Sequence, residues 1–206
     1  MDSIIFDLDG TLWDSSSTVL MAWNEILNQH PKVQKKITLE DLHDSMGLQI
    51  HEIGQKLFPY LQEDERIELL QKCGEVENDY LRKLGGKLYD QVEHVLQTLS
   101  KKYKLFIVSN CQEGYIEAFF HFHNVGKYFL DYENPGRSGL SKGENIKLVM
   151  GRNQLNRPIY IGDTEGDVKA ARLANIPFVY AAYGFGDVSE SDETIENFAD
   201  LLELYG

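Results

Sequence analysis

Cysteine, positive charge and long apolar runs are all scarce in this sequence, and each scarcity closes off a class of protein. Only two cysteines, Cys73 and Cys111, occur among 206 residues. They form neither a closely spaced ligand set nor a disulfide framework, which points to a reducing compartment. Twenty lysines and arginines stand against 33 aspartates and glutamates, a formal charge of −13. Such a chain repels nucleic-acid backbones and anionic headgroups, so no nucleic acid and no membrane is expected as a partner. Met1-Asp2 is followed by only a short apolar stretch without a positive leader. Neither a signal peptide nor a membrane span is expected, and the protein reads as cytoplasmic. Internal repeats and low-complexity tracts are also missing.

What is present is an ordinary globular composition, 42% apolar, in a chain long enough for one buried core plus an insertion. Four short apolar runs rich in β-branched or aromatic residues occupy residues 3–7, 104–110, 159–163 and 177–181. None alternates cleanly, as befits strands buried on both faces of a parallel sheet. Between and after them, residues 90–103, 112–124, 142–153, 167–175 and 192–205 carry apolar side chains at helical spacing. The expected fold is α/β, a doubly wound parallel sheet with covering helices.

Residues 15–86 break this alternation. They hold no convincing strand and read as four consecutive helices, 17–30, 38–46, 50–58 and 63–84, with Thr38 and Asp41 as a capping box, Pro59 after the third and Gly85-Gly86 after the fourth. The expected organisation is an α/β core of residues 1–14 and 87–206 with an α-helical cap, 15–86, inserted after the first strand. Ser15-Ser16-Ser17 and Leu84-Gly85-Gly86-Lys87 read as the linkers.

The first strand ends in Asp7-Leu8-Asp9-Gly10-Thr11. Asp9-Gly10 alone is an adequate turn dipeptide, and a solvated aspartate there needs no further explanation. The alternative is chemistry, and the other strands bear on the choice. Two more of them end in polar clusters, Ser109-Asn110 and Gly162-Asp163-Thr164-Glu165-Gly166-Asp167. In an open parallel sheet these ends share one edge, where ligands bind, so the acids converge. Lys142, opening a helix just before the third strand, supplies a cation.

These residues resemble the motifs of the haloacid dehalogenase superfamily, in particular its phosphatases with a helical cap. Asp7 to Thr11 resembles the first motif, Ser109-Asn110 the second, Lys142 the third, and Gly162-Asp163-Thr164 through Asp167 the fourth. The third departs from the common form, because Lys142 is followed by Gly143-Glu144 where many relatives have a proline. The resemblance implies a phosphomonoester hydrolase for a small phosphorylated metabolite, working as a monomer or homodimer. It implies a magnesium ion (Mg2+) held by the Asp7 and Asp163 carboxylates and the Asp9 carbonyl, with Asp167 supporting them. Asp7 would be the nucleophile that becomes an aspartyl-phosphate, and Asp9 the general acid and base. Lys142 would pair with Asp7 and the phosphoryl group, while Thr11, Ser109 and Asn110 bind phosphate oxygens.

The physical logic is that phosphate charge repels an anionic nucleophile, so the site has to supply positive charge and in-line positioning. Hard oxygen ligands suit magnesium. Purely structural roles stay open for several positions: Thr11 as a turn cap, Ser109-Asn110 as a strand end, Asp167 as a helix cap. Cys111 lacks the arginine six positions on that a thiolate phosphatase needs, the residue there being Glu117, and reads as a packed strand-end residue. His121 and His123, two apart on a helix, face different ways and make a poor metal pair.

Relatives of other activity share the expected fold. A dehalogenase or a phosphonate-cleaving enzyme would not need Asp9. A phosphomutase of the β-phosphoglucomutase type would keep it, and stays open. A receiver-type phosphoacceptor module lacks both the Asp9 acid and so large an insert. For the substrate, Trp13 and the stretch Met46 to Ile53 are the features expected near the site, and Tyr183-Gly184-Phe185-Gly186 resembles a segment of the phosphoglycolate phosphatase-like branch, a hint of small acidic esters.

Overall fold

The computed structural model describes residues 1–206. Its centre is a sheet of six parallel strands in the order β5-β4-β1-β6-β7-β8. The strands are β1 (Ser3–Phe6), β4 (Lys104–Val108), β5 (Asp131–Glu133), β6 (Pro158–Gly162), β7 (Phe178–Ala181) and β8 (Glu193–Ile195). The two remaining strands, β2 (Trp13–Asp14) and β3 (Lys87–Leu88), form a separate antiparallel pair. Along the central strands the side chains divide between two cores. Ile4, Phe6, Leu105, Ile107, Ile159 and Ile161 face one, and Ile5, Phe106, Val108 and Tyr160 face the other.

Helices close both faces, which is why these strands are apolar throughout. On the first face lie α5 (Val92–Leu99), α6 (Tyr115–His123) and α10 (Leu201–Tyr205). On the second lie α8 (Lys142–Arg152) and α9 (Glu165–Ala174). A short α7 (Pro135–Ser138) links β5 to α8. No helix is long and apolar enough to cross a membrane.

Between β2 and β3 the chain runs through four helices, α1 (Ser16–Leu27), α2 (Leu39–His43), α3 (Ile50–Leu57) and α4 (Glu63–Leu84). Asp14 pairs with Lys87, so the outgoing and returning chains are clasped side by side where the helical segment leaves the sheet. Thr38 and Asp41 form the reciprocal capping box that starts α2. Asn24 of α1 ties down the following loop by accepting from the Ile37 amide at 3.1 Å and donating to its carbonyl at 3.0 Å.

Two expectations need correction. Residues 192–205 are not one helix: Glu193–Ile195 pairs with β7, and the helix starts only after Asn197. Ile195, Phe198 and Leu201 recur at a spacing that imitates a helix, but Asp200 accepts the amides of Glu196 and Asn197 at 2.9 and 2.8 Å and thereby places the helix start there. Strand β5 was hidden because Asp131-Tyr132-Glu133 has no apolar run. It is an edge strand whose acids are held by the Arg152 guanidinium.

Candidate active site

Register brings the polar strand ends together. Phe6 lies opposite Ile107 on one side and Ile161 on the other, so Asp7, Ser109 and Asp163 emerge from three adjacent strands at one edge. The Asp7 amide still donates to the Ile161 carbonyl at 2.8 Å, which fixes where its side chain begins.

Lys142 is buried at the start of α8, whose capping box pairs Ser141 with Glu144. Here Glu144, in the Gly143-Glu144 pair that follows the lysine, has a local task. The Lys142 ammonium lies 3.1 Å from Asp7 Oδ1 and 2.6 Å from Asp167 Oδ1. Burial opposes its charge, but Asp167 and Asp7 overcome this and hold it protonated.

Asp167 is saturated. Its Oδ1 accepts from Lys142 at 2.6 Å and the Tyr160 hydroxyl at 3.2 Å, and its Oδ2 accepts from the Asp163 amide, the Thr164 amide and the Thr164 hydroxyl at 3.2, 2.9 and 2.7 Å. Asp7 and Asp163 have fewer partners. Asp7 Oδ1 has the Lys142 ammonium beside it at 3.1 Å, and Asp163 Oδ1 is buried without a hydrogen-bond partner, whereas Asp163 Oδ2 accepts the Phe185 amide at 2.7 Å. Oxygens of Asp7, Asp163 and Asp167 lie within 4.8 Å of one another. Burial and Asp167 push Asp7 up to about 7 against the pull of Lys142. Burial, Asp167 and Asp7 push Asp163 well above the usual carboxylate range. An orphaned oxygen of Asp163 held this close to the Asp7 and Asp167 carboxylates gives a donor set that a hard cation fits.

Asp163 also leaves no room beside it. A Cβ on Gly10 would fall 2.0 Å from Asp163 Oδ2, and Gly10 has φ +78°; a Cβ on Gly184 would fall 2.3 Å from Asp163 Cβ. Only glycine lets both chains approach. The 183–186 segment thus serves Asp163 directly.

Asp9 belongs to a different network. After Leu8 the chain turns, with the Leu8 carbonyl accepting the amides of Thr11 and Leu12 at 3.3 and 2.8 Å. Asp9 Oδ1 accepts the Ser15 hydroxyl at 2.5 Å and the Tyr115 hydroxyl at 2.9 Å, which leaves Oδ2 available for a proton. Burial pushes Asp9 up to about 6 against these bonds. Asp7 and Asp9 both open on one cavity of about 70 Å3, together with Ser109, Asn110, Cys111 and residues of the helical segment between β2 and β3.

Three expected positions behave differently. The Thr11 hydroxyl is buried without a partner and does not line the cavity, because the turn after Leu8 carries it inward. Asn110 reaches the cavity, but its Nδ2 donates to the cap carbonyl of Gly47 at 2.8 Å. Trp13 is not on the lining either; its ring packs against Tyr115, Phe119 and His123. The stretch from Met46 does reach the cavity, through Met46, Gly47, Leu48, Ile50 and Ile53. Sequence reasoning missed Ser15, Tyr115 and Tyr160. Ser15 read as a linker, and the two tyrosines read as core residues.

The model of the haloacid dehalogenase-like hydrolases matches residues 4–181. The chain belongs to that family. It is an enzyme of the hydrolase type, and its curated relatives are phosphatases. A phosphoglycolate phosphatase of Aquifex aeolicus is 25% identical over 219 residues, spanning 99% of this chain and 96% of the relative. The one of Synechococcus elongatus is 29% identical, spanning 98% and 96%. Among solved structures, a predicted phosphoglycolate phosphatase of Haemophilus somnus superposes with a TM-score of 0.87 at 22% identity, covering 100% of this chain and 98% of that one. A haloacid dehalogenase-like hydrolase of Streptococcus pneumoniae gives 0.83 at 22%, covering 100% and 99%. At such identities the structural likeness speaks for the fold.

Proposed function

We propose that this protein is a magnesium-dependent phosphatase that hydrolyses a small phosphomonoester through an aspartyl-phosphate on Asp7, with residues 15–86 as the cap over the site. The observation that carries this reading is the pairing of Asp7 and Asp9 on one cavity, with Lys142 ion-paired to Asp7 at 3.1 Å. Asp7 and Asp163 would hold the magnesium ion through their carboxylates, and Asp9 through its carbonyl. When bound, the ion offsets the charge that would otherwise repel nucleophile and phosphate.

Asp7 attacks phosphorus, and Lys142 keeps the attacking carboxylate ionised while drawing charge from the phosphoryl oxygens. Asp9, with Oδ2 free and its pKa lifted towards neutrality, gives its proton to the departing alkoxide. The same oxygen then takes a proton from the water that attacks the phosphoaspartate. Tyr115 and Ser15 hold the Asp9 carboxyl in place during both transfers. Ser109 borders the reaction space, and Asn110 fixes the cap's Gly47 beside it.

One turnover in heavy-oxygen water tests this mechanism. Attack at phosphorus labels the released phosphate and leaves the peptide containing Asp7 unlabelled by mass spectrometry. Label in Asp7 would instead mean attack at the carboxyl carbon, as for an alkyl-ester intermediate, and would end the proposal.

A further inference from the structure

We propose that the leaving group is received by a cation-free, largely apolar chamber in which Glu77 reads a hydrogen-bond donor, a hydroxyl or an ammonium, and that esters with a carboxylate on the leaving group are excluded. This rests on the phosphatase reading above and names its substrate class.

The leaving oxygen has to lie beside Asp9, and Asp9 opens on the cavity of about 70 Å3, not on the wider groove that adjoins it. A single water needs roughly 10–15 Å3 on such a measure, so the chamber has room for a small leaving group. Its walls on the cap side are apolar, including Val19, Leu42, Met46 and Ile53. No lysine, arginine or histidine lines it. His43, Lys142 and Lys169 border the separate groove, and the Asn110–Gly47 hydrogen bond of 2.8 Å joins residues shared by the two spaces.

The one ionisable cap residue on the chamber is Glu77, 5% exposed, on α4. Its Oε2 accepts the Trp23 indole N–H at 2.6 Å, and the Gln112 side chain also bonds the carboxyl, which fixes it in place. The helix around it is anchored to the core: Asn78 Nδ2 donates to the Glu113 carbonyl at 2.8 Å, and Gln112 Nε2 donates to Asn78 Oδ1 at 3.4 Å. Glu77 is therefore a fixed acceptor facing the same space as Asp9. Burial pushes its carboxyl up to about 7, so on the alkaline side of that value it is an anion that accepts from a donor and repels a second carboxylate. A leaving-group carboxylate would enter a space with two acids and no cation, and a buried charge without a partner is strongly disfavoured. A hydroxyl or ammonium would find an acceptor in place. This separates the chain from the activity for which its curated relatives are named.

The test uses the full chain with magnesium and two-carbon esters matched in length: 2-phosphoglycolate, 2-hydroxyethyl phosphate and phosphoethanolamine, with an aryl phosphate as a generic substrate. Aryl turnover shows that the phosphatase reading stands. The expected result is a kcat/KM for the hydroxyl or the ammonium ester at least about tenfold above that for 2-phosphoglycolate. Which of the two is faster identifies the donor. Glu77→Gln should shrink that ratio by about tenfold, since the amide offers donors to a carboxylate. Preference for 2-phosphoglycolate in the natural protein, or an unchanged ratio in Glu77→Gln, overturns the inference. Calorimetric binding of the same three esters to Asp7→Asn with magnesium gives the order without turnover. If no ester is hydrolysed, the phosphatase reading falls, and this binding order alone decides the chamber's preference.

Discussion

Asp167 accepts the Lys142 ammonium at 2.6 Å, closer than the 3.1 Å that separates the ammonium from Asp7. Asp167 also caps α9 and accepts the Tyr160 hydroxyl. It thus joins three elements around one cation. Removing one partner of such a buried pair usually costs about 3–5 kcal/mol, much of it from the charge left behind. Asp167→Asn should accordingly lower the unfolding free energy by about 3 kcal/mol, and Lys142→Met should also destabilise. The double variant should be less destabilised than the sum, because it removes both members of the pair. Urea denaturation of all four proteins checks this, and simple additivity would show that the pair is not a unit.

Magnesium binding should be coupled to proton release. Asp7 is pushed up to about 7 and Asp163 is raised as well, so in the metal-free protein protons compete for the two carboxylates. Affinity for magnesium should rise with pH up to about 7, by roughly tenfold per pH unit for each proton displaced. Calorimetry in buffers of different ionisation enthalpy counts the protons. In the same preparations, chelator should abolish hydrolysis of an aryl phosphate, magnesium should restore it, and calcium, with its larger and looser shell, should not. A flat affinity between pH 5.5 and 7.5 would remove Asp7 and Asp163 as the ligands.

The sequence revealed those parts of the molecule whose cause is local. Apolar runs marked β1, β4, β6 and β7 because a strand covered on both faces needs little else, and polar residues at their ends marked the site's edge. Strands β5 and β8 stayed hidden because edge strands tolerate acids. Residues 192–205 misled for a related reason, since three apolar residues that enter the core from a strand and a turn imitate a helix face. At the site, the motif acids were legible one by one. The partners of Asp9 were not: Tyr115 lies 106 positions away, and nothing in its neighbourhood announces a hydroxyl aimed at an aspartate. Glu77 was equally invisible, being one acid among many on a charged helix until burial singled it out.

Glu77 should leave a mark on stability as well as on substrate choice. Its carboxyl titrates near 4.5 in an unfolded chain and at about 7 when buried here. Between those values the unfolded state has released its proton while the folded state keeps it, so stability falls as pH rises from 4.5 to 7 and levels off above. Glutamine at this position cannot ionise. The unfolding free energy of Glu77→Gln minus that of the natural protein should therefore grow by roughly 2–3 kcal/mol between pH 5 and pH 8. Taking the difference cancels the titration of the acids common to both. A difference that stays constant across this range would mean that Glu77 is ionised in the folded protein.

The role of Asp9 can be separated from that of the metal ligands through its leaving-group dependence. A nitrophenolate departs without a proton, whereas an alkoxide needs one. Asp9→Asn should therefore slow phosphorylation of Asp7 by about 10²–10⁴-fold with alkyl esters and far less with aryl esters. Single-turnover phosphorylation is the proper measurement, because the same substitution also impairs the later attack by water. Tyr115→Phe offers a gentler probe of the same group. The Tyr115 hydroxyl and Ser15 both donate to Asp9 Oδ1, bonds that favour the ionised form and restrain the effect of burial. With one donor gone, the Asp9 pKa should rise above its present value of about 6. Proton donation to an alkoxide requires the protonated acid, so the alkaline limb of the alkyl-ester phosphorylation profile should move to higher pH in Tyr115→Phe. The aryl-ester profile should not follow it. Equal losses for both ester types in Asp9→Asn, or parallel shifts of both profiles in Tyr115→Phe, would assign Asp9 to holding the site together and leave the source of the proton elsewhere.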